Sequence, residues 1–127
     1  MRVFKATWFA RFAGKEGITD KELLEAVKQL EAGQAEANLG GKVYKVRLAR
    51  PGEGKSGGYR VIVLFKSGER TFFIYGFAKS GRSDIDEKEK RDFKKLAKHY
   101  FNLTDEIIAR SVKMGLLAEI LGECHGK

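Results

Sequence analysis

Between Val43 and Phe77 three apolar runs follow one another with links of only a few residues, and this pattern constrains the fold more than any other part of the chain. In Val43–Arg50, Tyr44, Val46 and Leu48 share one face and Lys45 and Arg47 the other, the period of two of a half-buried strand. Tyr59–Lys66 reads YRVIVLFK, apolar on both faces, which predicts a central strand. Arg70–Phe77 reads RTFFIYGF, another buried strand. The links Pro51–Gly58 and Ser67–Glu69 are too short for a crossover helix. Strands at 43–50, 59–66 and 70–77 therefore have to pair antiparallel, as a meander.

Helical spacing flanks this block. After a short strand at Val3–Ala6, Trp8, Phe9, Phe12 and Ala13 recur at helical intervals until Gly14 and Gly17 interrupt. Thr19 and Glu22 have the spacing of a capping box, and Leu23, Leu24, Val27 and Leu30 form a stripe that Gly33 ends, predicting a helix at 19–32. Ala35–Gly41 reads as a connector. Past the sheet, Asp84-x-x-Glu87 suits the cap of a helix at 86–101, with Phe93, Leu96, Ala97, Tyr100 and Phe101 inward. Thr104 can cap a last helix at 104–121, with Ile107, Ile108, Val112, Leu116, Leu117 and Ile120 on its apolar face. The expectation is a single α+β domain over 1–127: a small antiparallel meander with helices packed on one face, an extra C-terminal helix, and basic residues on the other face.

The charge is concentrated. The chain has a net charge of +8, and residues 41–82 hold ten of its 25 Lys and Arg but only two of its 17 acids, Glu53 and Glu69. The remainder balances. Clustered Lys and Arg favour a polyanion, nucleic acid first, because binding phosphates releases counterions.

Several classes are excluded. The single Cys124 leaves no internal disulfide and no Cys-based zinc site, and His99 and His125 are too few for a His cage, so neither metal nor cofactor is expected. No apolar run is long enough to span a bilayer and the N-terminus lacks a signal-peptide core, which predicts a cytoplasmic protein without membrane contact. Ala49–Ser56 reads ARPGEGKS, a relaxed P-loop pattern. A P-loop needs a helix to follow, and here Gly57, Gly58 and a strand follow. The loop is either a plain hairpin link or one whose Lys55, Gly57 and Gly58 touch a phosphate backbone, alongside Lys42 and Arg50. No Ser/His/Asp set is present. Glu53 and Glu69 fall in turns, which leaves no carboxylate pair for a hydrolase or a two-metal nuclease.

What remains is a cationic site: Lys45 and Arg47 on one strand face, Arg60 opening the next strand, and Lys79 and Arg82 after the third. Such cations can stabilise the transition state of phosphodiester cleavage, and a crowded lysine can act as a base. RNA supplies its own nucleophile, the 2′-OH. Solvated strand residues with no chemical role account for the same pattern equally well.

The segments Leu39-Gly40-Gly41, Tyr44-Lys45-Val46-Arg47, Gly52–Arg60, Ile74–Lys79 and Asp84-Ile85-Asp86 together resemble the RelE/ParE toxin superfamily. The GKSGG-x-R hairpin and the YGFAK strand end resemble its HigB-like branch. The likeness covers about residues 39–100, and it implies the helices-plus-antiparallel-sheet fold derived above. It also implies a toxin that binds the ribosomal A site and cuts mRNA without metal, leaving a 2′,3′-cyclic phosphate and a 5′-OH. The implied partners are the ribosome, mRNA and a neutralising antitoxin, often a helix-turn-helix protein. A ParE-like inhibitor of another target such as DNA gyrase, or a degenerate binding module, is the alternative. By position, Lys45 and Arg47 match the family's K-x-K/R pair, Arg60 its strand arginine, and Lys79 and Arg82 the basic residues after the last strand. The chain departs from the family at Ser80, near where many relatives carry arginine, and at Asp86, near a tyrosine that assists proton transfer. Tyr75 and Tyr100 are the candidates to replace that tyrosine.

Overall fold

The computed structural model of the protein describes residues 1–50, 54–82 and 84–121, with every side chain among them except those of residues 50 and 54–57. In chain order the elements are β1 (Arg2–Ala6), α1 (Thr7–Glu16), α2 (Asp20–Glu31), β2 (Ala37–Gly40), β3 (Val43–Arg50), β4 (Gly54–Lys66), β5 (Arg70–Ala78), α3 (Glu87–Phe101), α4 (Asp105–Lys113) and β6 (Leu117–Ile120). They form an α+β domain around one sheet of order β2-β3-β4-β5-β1-β6. The meander β3-β4-β5 is antiparallel, as its short links require. β1 joins β5 in parallel, with Arg2 opposite Arg70 and Lys5 opposite Phe73.

The capping box at Thr19 forms as expected: Thr19 Oγ1 accepts from the Glu22 amide at 3.2 Å and Glu22 Oε1 from the Thr19 amide at 2.9 Å. The cap of α3 is Asp86, not Asp84. Two overlapping D-x-x-E patterns compete there, and Asp86 with Glu89 forms the box while Asp84 turns to Lys45 and the Ile85 amide. Ala37–Gly40 was expected to be a connector and forms β2, pairing with β3. β4 already runs from Gly54, with Arg50 opposite Gly54, where a loop through Gly58 was expected; no helix follows Lys55. The loop residues Pro51–Glu53, and Cys124 and His125 in the tail, lie outside the described residues.

Two further expectations are corrected. The extra C-terminal helix ends at Lys113, because Gly115 takes the left-handed conformation at φ 81°, and the chain returns as β6. Thr7 Oγ1 holds that turn by donating to the Gly115 and Leu116 carbonyls at 3.2 and 2.9 Å, and β6 then covers the outer edge of β1.

The second correction is that the helices cover both faces. Phe9, Ala13, Leu23, Val27 and Leu30 of α1 and α2 pack with Val46, Leu48, Val61, Val63 and Phe65. Phe93 and Ala97 of α3 and Ile108 of α4 pack on the opposite face with Val43, Ile62, Leu64 and Phe72. Strands apolar on both faces need a layer on each.

A bulge in β5 re-aims its last residues. Ile62 pairs with Tyr75 but Val63 with Phe73, so Ile74 is the extra residue. Tyr75 and Phe77 consequently join the α3 face and Gly76 meets α1. A Cβ on Gly76 would stand 2.6 Å from Phe12 Cε2 and 3.2 Å from Phe9 Cε1. Gly76→Ala is thus expected to destabilise by about 1–3 kcal/mol through overpacking, measured by urea denaturation; an unchanged midpoint contradicts this contact.

Candidate functional site

Alternation along β3 puts Lys45 and Arg47 on the same face as Val43, the α3 face. Arg60 of β4 pairs in register with Arg47 on one side and Phe77 on the other. Lys45, Ile62 and Tyr75 form the next row.

Carboxylates that looked remote in the sequence interleave with these cations. The Glu36 amide donates to the Lys45 carbonyl at 2.9 Å, which fastens Glu36 alongside β3. Its carboxylate then lies 2.7 Å from Arg60 Nε and 3.6 Å from Arg47 Nε. Glu36 Oε1 is buried and has no aligned hydrogen-bond donor, so its contact with Arg60 is an ion pair rather than a straight hydrogen bond. Arg60 itself is 3% exposed, covered and turned to Glu36. Burying a guanidinium is costly unless a charge answers it, and Glu36 is that charge.

Lys45 Nζ donates to both oxygens of Asp84 at 3.0 Å. Burial pushes the Asp84 carboxyl up, but the bonds from Lys45 and from the Ile85 amide prevail and hold it below its usual range. Arg82 grips Glu89 through both terminal nitrogens, at 2.7 and 3.1 Å, and donates also to Tyr75 Oη at 3.1 Å and to the Asp84 carbonyl at 3.0 Å. The bond to Glu89 is the main reason the guanidinium holds its proton more firmly than usual, and the same bond depresses the Glu89 carboxyl. Arg82 thereby staples the segment after β5 to the first turn of α3.

The structure brings Lys45, Arg47, Arg60 and Arg82 together. Lys79 stands exposed beyond β5, with no ion pair among the described residues, while its amide ties to the Gly58 carbonyl at 2.9 Å. Lys42 is apart, exposed in the β2–β3 turn at φ 67°, at the other end of β3 from Arg50. The side chains of Arg50 and Lys55, and the surroundings of Gly57, lie outside what is described. Instead of a crowd of like charges with a lysine as base, the site is an alternation of cations and acids. Glu36, Asp84 and Glu89 were missed as partners of the cations because no local pattern ties them to the sheet; only the fold does, alongside β3 and onto α3. Of the two tyrosines, Tyr75 stands at the site, bonded to Arg82, whereas Tyr100 is half-buried and stacks on Phe72 at 4.8 Å against the core, where burial raises its hydroxyl.

Among the described residues no helix is long and apolar enough to cross a membrane. No curated protein matches the chain significantly. A family model described as the RelE toxin of the RelE / RelB toxin–antitoxin system matches residues 1–120, nearly the whole chain and all six strands. That span takes in β2 and β6, the two edge strands of the sheet, as well as every residue of the cation–carboxylate cluster. The chain belongs to the RelE toxin family, the toxin half of a toxin–antitoxin pair.

Proposed function

We propose that this toxin, as one RelE-like domain of the HigB-like branch, is a ribosome-dependent mRNA endonuclease. The observation that carries the reading is Glu36, a largely buried carboxylate held between Arg60 and Arg47 at the edge of the cationic face. In this reading Glu36 takes the proton from the 2′-OH, whose oxygen attacks the adjacent phosphorus. The bond to the 5′ oxygen breaks and that oxygen takes a proton from water, leaving a 2′,3′-cyclic phosphate on one fragment and a 5′-OH on the other. Arg47 and Lys79, both exposed, face the phosphate and offset the charge that develops on it. Arg60, covered and bound to Glu36, is a positioning residue. The acids of the cluster each face a guanidinium or an ammonium, so charge stabilisation falls to the cations rather than to a metal held by those acids. An exposed surface of this kind needs the ribosome to hold the 2′-OH in line, which is why free RNA is expected to be cut poorly. The cognate antitoxin, a helix-turn-helix protein in this reading, is what restrains it.

The test is induced expression followed by mapping of mRNA ends, with purified ribosomes as confirmation. Growth arrest with 5′-OH ends inside codons, and cleavage by the purified protein only when ribosomes are present, supports the reading. A second reading is favoured by the pairs Lys45–Asp84 and Arg82–Glu89, which spend two of the cations on internal partners. It is a ParE-like protein acting on another target such as DNA gyrase, or a degenerate binding module. Arrest with DNA damage and intact mRNA selects the gyrase form, and absence of any toxicity selects the module.

A further inference from the structure

Helix α2 ends in a turn of common geometry built from uncommon residues. Gly33 takes the left-handed conformation at φ 75°, the Gln34 amide donates to the Gln29 carbonyl at 2.8 Å, and the Gly33 amide to the Leu30 carbonyl at 3.1 Å. These two bonds close the helix C-terminus and set residues 29 and 34 side by side, where an apolar pair frequently meets. Here both positions are glutamine. Gln29 is half-buried and Gln34 exposed, and neither side chain makes a hydrogen bond among the described residues. Two unpaired amides stand where the turn itself gains more from two apolar side chains.

The sheet leaves room beside them. β2 pairs with β3 only as far as Ala37 opposite Lys45, so Arg47 stands on the part of β3 that β2 does not cover. The connector from α2 meets this edge, with the Glu36 amide tied to the Lys45 carbonyl at 2.9 Å. Gln29, Gln34, Ala35, Glu36 and Arg47 line the groove so formed, a space of about 420 Å³, ample for one nucleobase. Two of these five residues already have a part in the proposed chemistry: Glu36 takes the proton of the 2′-OH and Arg47 faces the phosphate. The two amides share a groove with both.

On a ribose the base hangs from C1′, next to the carbon that bears the 2′-OH. A 2′-OH held at Glu36 therefore brings its own base to the groove that Glu36 shares with Gln29 and Gln34. An amide offers a donor and an acceptor side by side, and it pairs twice with any base edge that offers the complement. Counting the Watson–Crick and major-groove edges, adenine alone has two such edges, because its N6 amino group lies between N1 and N7 with a hydrogen for each. We propose that the groove between the end of α2 and β3 binds the base of the nucleotide whose 2′-OH attacks, and that Gln29 and Gln34 together select adenine there. This rests on the endonuclease reading with Glu36 as the base, and it assigns the choice of sequence to residues outside the cation–carboxylate cluster.

The intact protein is titrated, by fluorescence anisotropy, with labelled oligoribonucleotides of one length: oligo(A), oligo(U), oligo(C), and oligo(A) made with 7-deazaadenine, which lacks N7. Oligo(A) is expected to bind on the order of ten-fold more tightly than oligo(U) or oligo(C), the discrimination of one two-bonded amide–base pair, with the 7-deaza chain in between. On ribosomes programmed with mRNAs that differ only in the base 5′ of the cut, cleavage after adenine should be faster by a similar factor. Gln29→Leu/Gln34→Leu supplies the apolar pair frequent in this turn, so it should resist urea at least as well as the parent while losing both preferences. Equal binding of the oligomers by the parent overturns the proposal without needing any variant to fold. So does a folded double variant that still prefers adenine. The binding assay requires no cleavage. Adenine-selective binding by a protein that never cuts mRNA refutes the endonuclease reading and leaves the groove a base site. Cleavage on ribosomes that ignores the base 5′ of the cut does the reverse.

Discussion

Arg60→Ala is expected to cost the protein a large part of its stability, about 3–5 kcal/mol, and not merely to silence it. Arg60 is 3% exposed and Glu36 Oε1, 2.7 Å away, is buried. Removing the guanidinium leaves the buried Oε1 without its nearest counter-charge, and Arg47, 3.6 Å from the other oxygen, compensates only in part. Against a total of about 5–15 kcal/mol for a domain of this kind, the variant should lose a large part of its urea resistance and accumulate poorly. Alanine scanning alone would then misassign Arg60 as a residue that touches phosphate. Arg60→Lys separates the two effects. It keeps the charge, should stay folded, and should cut mRNA at least ten-fold more slowly because an ammonium cannot hold Glu36 in the same orientation. Lys113→Ala, exposed at the end of α4, is the control and should move neither quantity beyond about 0.5 kcal/mol. An Arg60→Ala protein as stable as its parent would show that Glu36 is solvated after all.

Glu36→Gln should have the largest effect on the chemistry. The amide keeps the shape and remains a polar neighbour for Arg60 and Arg47, but it takes no proton. Loss of a positioned general base costs about a hundred- to ten-thousand-fold in rate, enough to abolish toxicity in cells. The loss should fall on the cleavage rate and not on ribosome binding, a split that a purely structural partner of Arg60 would not produce. Ribosome-programmed cleavage measured on both proteins decides the matter. A Glu36→Gln protein that is less stable but cuts at the parental rate makes Glu36 a counter-ion only, and the proton then needs another acceptor.

The meander was legible because its evidence is local. The period of two in β3 and the links of a few residues leave one pairing available, and the doubly apolar β4 can only be central. The capping box at Thr19 was legible for the same reason, since both partners lie within one turn. The site was half legible. Lys45 and Arg47 at spacing two, and Arg60 at the start of an apolar strand, announce that charges meet on one face. Which charges answer them was not, because Glu36 sits in an unremarkable connector and Asp84 and Glu89 lie in and beside a helix cap.

The amino-acid sequence by itself determined the α+β class, the antiparallel order of β3, β4 and β5, the helices at either side, and the concentration of positive charge on the sheet. These follow from periodicity, link length and composition, all of which act over a few residues. Tertiary structure alone decided that helices cover both faces, that the chain returns after Gly115 as β6 beside β1, and that the bulge at Ile74 swings Tyr75 towards Arg82. It alone decided that each buried cation faces a carboxylate. The physical reason is that a charge entering a dry interior must find its partner wherever the fold can supply one, and for Arg60 that partner, Glu36, comes from outside the hairpin that carries Arg60.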